Sequence, residues 1–332
     1  MQLAFQVIGN KYVFYGIVDD ARANVCFKPS AKAPKSSEEK IKGMKATHIL
    51  VMMASFLHDL SAYSDESAIR RVVGMHAVSN LVAEQADELV WYTIAQLALK
   101  AMVRTRTTTC DGASCFRLQH KINTTGQGRG TANTFGGSRV PNDCEDDENA
   151  SIELGSDESH WLKKGLTNWY TRDMQLPDYL VQFILRSFTQ PGQPRGQHES
   201  GETVGCEAYM RLFARVHELL GSATQPAYWT GDEAKDERLR ELKDILRIFG
   251  MWHEFNSTSE ATKDLSKAEQ AARGLTHQLF YDTHAMIEAF LGLLKGLEED
   301  FGAGHFRILA RRLSQDALES LFGRMRQAGR GP

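Results

Sequence analysis

The residues best suited to chemistry lie at the end of the chain. Asp316 and Glu319 are the only carboxylates between His305 and Arg330, where they stand among Arg307, Arg311, Arg312, Arg324, Arg326 and Arg330. Three residues apart, the two acids project from nearly the same face of a helix, one turn from each other. Leu313, Ala317, Leu318, Leu321, Phe322 and Met325 supply that helix with an apolar side. Two chemistries fit such a pattern. The plain one is a set of ion pairs along a solvated helix, worth little to stability. The other is a metal-liganding carboxylate set inside a basic groove for phosphates.

Other constellations are weaker. Cys110, Cys115 and His120, with Cys144 beyond, are soft ligands that Zn²⁺ could take, but their spacing fits no standard zinc knuckle. Loop cysteines without metal are the simpler reading. Gly126-Gln127-Gly128-Arg129-Gly130 lacks the Lys-Ser/Thr ending of a phosphate-binding loop and reads as an ordinary loop. His58 beside Asp59 and His253 beside Glu254 read as helix-surface or half-buried residues.

Positioning any of these groups requires a scaffold, and the hydrophobic pattern is mostly helical. Stretches at Cys206–Leu220, Ala234–Phe255, Leu275–Glu299 and Ser314–Ala328 read as helical. Ser314 is placed to cap the last of them, and Asp316 in its first turn suits the helix dipole. Residues 160–188 read as helical too, as do 45–60 and 64–104. Strands are expected only near the start, at 2–18, where Gly9-Asn10 marks a two-residue hairpin; Ala23–Phe27 is a possible third. The expected fold is mainly α, with a short N-terminal β-hairpin or small antiparallel sheet. Four segments follow: 1–104, hairpin plus helices; 105–160, a flexible Gly-, Thr- and acid-rich insert; 161–304, helical; and 305–332, the terminal helix.

Composition narrows the function classes. With 332 residues, 42% hydrophobic and 24% charged, the chain is an ordinary globular one. A net charge of −3 excludes a global basic signature, so any nucleic-acid surface must be local. No apolar run approaches the ~20 residues of a membrane span. The N-terminus lacks the order of a signal peptide, and five scattered cysteines point to a reducing, intracellular compartment.

The string from Arg311 to Pro332 resembles the C-terminal signature of P-element and THAP-type transposases. Ser314, Gln315, Asp316, Leu318, Glu319, Leu321, Phe322, Gly323, Arg326 and Gly329 occupy its positions. Residues 274–300 and 202–223 resemble the helix before the signature and a helix of the insertion domain, so the likeness spans about 202–332. The resemblance implies part of an RNase H-like domain carrying a helical insertion. It further implies DNA phosphoryl transfer by two Mg²⁺ ions roughly 3.5–4 Å apart on three carboxylates. Glu319 falls on the third catalytic acid and metal ligand, and Asp316 on a residue of a GTP site. In the helix Phe-Asp-x-Leu-Asn that completes that site, this chain has Glu218 for the Asp and Gly221 for the Asn. Arg311, Arg312, Arg324 and Arg326 are the expected phosphate contacts. DNA, and in some form a second copy of the chain, are the implied partners, and the nucleus the implied location. The family's other two acids, a strand-borne Asp and an Asp followed by Pro-His-Leu, have no plain counterpart; Asp19, Asp20 and Asp59 are the nearest candidates. With one catalytic carboxylate of three identified, an incomplete or inactive transposase is expected. The rival reading is a non-catalytic DNA- or protein-binding helical protein.

Overall fold

The computed structural model describes residues 4–8, 11–15, 48–55, 70–78, 81, 83–111, 114–125, 137–142, 144, 150–171, 178–187, 202–231, 235–258, 263–266, 269 and 273–328. Gly9-Asn10, Asp19, Asp20, Cys26, His58, Asp59, Gly126–Gly130 and the third expected strand at 23–27 lie outside them. The described chain is mostly helical with small sheets, and it divides into two compact units, 1–56 with 60–96 and 57–59 with 97–332.

In the first unit, β1 (Ala4–Ile8) and β2 (Lys11–Tyr15) pair antiparallel, closing at Ile8 opposite Lys11, as the hairpin signal predicts. The expectation of helices from 45 onward fails here. His48–Ser55 forms β3 and Arg70–Val78 forms β4, an antiparallel pair with an irregularity between Met52 and Met53. Short apolar runs have no decisive period, and the β-branched residues Val51, Val72 and Val78 favour the pleated form. Helix α1 (Ala83–Ala101) follows, with Thr93 donating to the Met52 sulfur at 3.0 Å and to Leu89 O at 2.9 Å.

The second unit begins with a further correction. Residues 105–160, read as an insert on their composition, hold a three-stranded sheet and a helix. The elements are β5 (Thr107–Cys110), α2 (Ser114–Thr125), β6 (Arg139–Pro141) and β7 (Ser151–Ser156). Strand β7 is central, parallel to β5 and antiparallel to β6. These strands are too short to show in composition, yet Ile152, Glu153, Leu154, Gly155 and Ser156 are all buried.

Helices α3 (Glu158–Thr171), α4 (Asp178–Ser187), α5 (Glu202–Leu220), α6 (Glu237–Thr258) and α7 (His277–Phe301) form the helical layer. Its core is aromatic. Trp161 and Tyr209 each stack on Phe213 with ring centroids 4.4 Å apart, and Phe249 meets Trp161 and Phe213 edge-on. Such arrangements add to the burial of large rings. Thr276 caps α7 by accepting from Leu279 N at 3.0 Å, and Gly302 ends it at φ 89°, a conformation that favours glycine. Helix α7 lies against β7, and Gly155 permits the approach, since a Cβ there would sit 3.3 Å from that of Ala289. A two-stranded ladder of β8 (Tyr228–Trp229) and β9 (Arg307–Ile308) leads into a 3-10 turn (Ala310–Leu313) and α8 (Asp316–Ala328). Ser314 Oγ accepts from Asp316 N at 3.0 Å, the capping role predicted for it. No helix of the described residues is long and apolar enough to cross a membrane.

Candidate functional site

The site lies where the C-terminal end of β7 meets the start of α8. Asp157 follows the buried strand directly and is itself buried. Its Oδ1 accepts from Gln315 N at 2.8 Å, and its Oδ2 from His160 N at 3.0 Å. The Gln315 side chain donates to Thr109 O at 2.8 Å, so one residue ties α8 to both parallel strands. On the neighbouring strand, Asp157 N donates to Cys110 O at 2.8 Å, which sets Asp111 beside Asp157 at the same sheet end.

Around this junction the acids and their partners alternate. Ser159 Oγ donates to Asp316 Oδ1 at 2.9 Å, and Lys163 Nζ lies 3.2 Å from both oxygens of Glu319. Glu158, which opens α3, accepts from or donates to His217 Nδ1 across 2.8 Å. Burial pushes the Asp157 carboxyl upward in pKa; the amides of Gln315 and His160 oppose that, and the charges of Asp316 and Glu319 reinforce it. Glu158 is raised for the same first reason, with His217 opposing and Asp157 and Asp316 reinforcing.

A second layer holds the strand end in place. Asp282 of α7 is nearly inaccessible and meets Arg117 at 3.3 Å, Lys164 at 3.1 Å and Ser156 Oγ at 3.5 Å. Burial raises its pKa, while Arg117 and Lys164 oppose the rise. Trp161 Nε1 donates to Thr283 Oγ1 at 2.7 Å. Behind β5, Cys110 Sγ sits 3.7 Å from His120 Nε2, both buried, and burial depresses His120 to about 4.

Sequence reasoning placed Glu319 and Asp316 together, and they are together at the start of α8, both exposed. Glu218 is elsewhere: its carboxylate pairs with Arg215 Nη1 at 2.6 Å. Arg311 lies in the 3-10 turn, half-buried, Arg312 is buried at 9% exposure, and Arg324 is exposed on α8. Arg326 also belongs to α8. Asp111, Asp157, Glu158 and His217 were not singled out. The available signal was an Asp directly after the β-rich run Ser-Ile-Glu-Leu-Gly-Ser, but the acidic tract before it disguised the strand. Among the described residues, no three His, Cys, Asp or Glu side chains are grouped so as to hold a metal ion. Cys110, Cys115 and His120 likewise form no such group, and burial pushes the Cys115 thiol upward in pKa.

The fold has a transposase counterpart. The chain is similar to a solved structure described as the Drosophila P element transposase strand transfer complex, with a TM-score of 0.53 and 12% sequence identity. The match covers 98% of this chain and 69% of that one. No sequence-family model matches the chain, and no curated protein matches it. At this identity the likeness is one of fold.

Proposed function

We propose that the chain is a transposase-related DNA-handling protein, its second unit an RNase H-like core interrupted by a helical insertion. The observation that carries the reading is the docking of α8 onto the ends of β5 and β7. Gln315 and Asp157 bring the acids of the terminal signature to the end of a parallel strand pair, within a fold similar to that of a transposase. Duplex DNA is the substrate class. Its phosphates would meet Arg311, Arg324 and Arg326, while the buried Arg312 serves packing. Such contacts give affinity that falls with salt rather than sequence specificity.

The fit of a Mg²⁺ pair to Asp157, Asp316 and Glu319 is poor. Asp157 commits both oxygens to backbone amides, Glu319 faces a lysine, and Asp316 accepts a serine hydroxyl. These commitments favour DNA binding over DNA cutting. Fluorescence anisotropy with a labelled duplex tests the reading. Binding should weaken with rising salt and fall roughly tenfold when Arg311, Arg324 and Arg326 are all changed to Ala. Salt-insensitive binding, or binding indifferent to that triple change, would refute it. A parallel incubation with Mn²⁺ and supercoiled plasmid should give no nicking that Glu319→Gln removes.

A further inference from the structure

The helical layer is joined to the strand end by a direct side-chain contact. At the C-terminus of α5, His217 Nδ1 meets Glu158 Oε1 at 2.8 Å, and the Glu158 side chain is only 7% exposed. Gly221 turns away directly after, its amide donating to His217 O at 2.7 Å. A Cβ built on Gly221 would fall 2.6 Å from His217 Nδ1 and 2.8 Å from Glu158 Cδ, closer than real Cβ atoms come. The Glu158–His217 contact therefore fills the space a side chain at 221 would need. Beside it, the void lined by Thr107, Thr109, Glu158, Leu220 and Ser314 measures about 30 Å³, the room of one water. Glu218, one residue on from His217, faces Arg215, whose guanidinium also spans both oxygens of Glu241 at 2.6 and 2.7 Å.

The resemblance implies GTP at this place, held by residues at 218, 221 and 316. The residues present do not fit it: one lacks a side chain, one is paired elsewhere, and the space is occupied. We infer that a Glu158–His217 clamp, seated over Gly221, fastens α5 directly to the strand end, and that this chain does without guanine nucleotide there. The clamp spans 59 residues of sequence and leads from Glu158 straight to Asp157 and its hold on α8. Two more acids, Asp157 and Asp316, act on Glu158 at the same corner.

Two measurements on the full chain test the inference. Titration with the fluorescent analogue mant-GTP in Mg²⁺ buffer should give no saturable signal displaced by unlabelled GTP. Saturable binding tighter than roughly 100 µM, weakened by Glu218→Ala, would overturn the inference. The second is a double-mutant cycle read by thermal unfolding. Gly221→Asn should lower Tm by roughly 4–8 °C alone, and by much less in the background of Glu158→Ala, where the crowding carboxylate is gone. Equal losses in both backgrounds would overturn the clamp. Neither readout involves DNA, so its outcome is distinct from that of the anisotropy experiment.

Discussion

His120 makes the support beneath the site sensitive to acid in a way that can be calculated. The imidazole is fully enclosed between α2 and β5, and burial, aided by the positive charge of Arg117, holds it near a pKa of about 4. An unfolded histidine titrates near 6.5. The folded value is the depressed one, so the neutral ring's contribution is fully present above about pH 6.5 and is lost as pH falls toward 4. Integrating the difference in proton binding gives a loss of about 2 kcal/mol by pH 5 and about 3 kcal/mol by pH 4. That is a large share of a typical domain's stability. The perturbation is His120→Gln, which keeps polarity near the Cys110 sulfur and cannot take up a proton. The assay is urea unfolding at pH 7.5, 6.0, 5.0 and 4.5, for wild type and variant, followed by tryptophan emission. At pH 7.5 the variant should be the less stable by ~1 kcal/mol. By pH 5 the order should reverse, because only the wild type has paid the protonation penalty. A stability difference that stays constant from pH 7.5 to 4.5 would refute the reasoning, since it would mean that His120 is not protonated on unfolding in that range.

Three further outcomes follow from other contacts. Gln315→Ala removes the side-chain bond to Thr109 O, at a cost of about 1 kcal/mol, and should speed amide exchange in the first turns of α8; unchanged protection there would count against the Gln315 anchor. Glu153 is buried on β7, where Ser138 Oγ donates to it at 2.6 Å, and burial raises its pKa. Its folded value is the higher one, so its neutral form stabilises most below the ordinary glutamate range and that contribution is lost as pH rises. Glu153→Gln should therefore raise Tm at pH 8 and lose that gain toward pH 4, and a gain that is flat with pH would contradict the assignment. Gly165→Ala drives a methyl into the Phe213 ring, clashing with its Cε1 and lying 2.6 Å from its Cδ1, in the centre of the aromatic stack. It should cost about 1–3 kcal/mol in denaturant unfolding, and a neutral result would mean the stack can shift.

Much of the helical layer is legible residue by residue. The apolar rows of α5, α6 and α7 recur every three or four positions, and each helix lies within a few residues of its expected bounds. Ser314 declares the start of α8 by chemistry that acts over two residues. Period and capping are local properties, so a single chain segment carries them whole. Strands β3 to β7 escaped because a strand is completed by a distant partner: Thr107 pairs with Glu153, and His48 with Val78. An apolar run of eight residues has no period strong enough to choose between helix and strand without that partner.

The candidate site divides along the same line. By itself the sequence determined that Asp316 and Glu319 share a helix face amid arginines, because three residues is nearly one turn. Only the tertiary structure decided that this face starts at Asp157, 158 residues earlier in the chain, through Gln315 N. It also decided that Glu158 faces His217 across the gap left by Gly221, and that Arg312 is inside while Arg324 is outside. The physical reason is that a hydrogen bond or ion pair depends on a fit of a few tenths of an ångström between surfaces. The packing of whole elements brings those surfaces together, and no spacing along the chain encodes that fit.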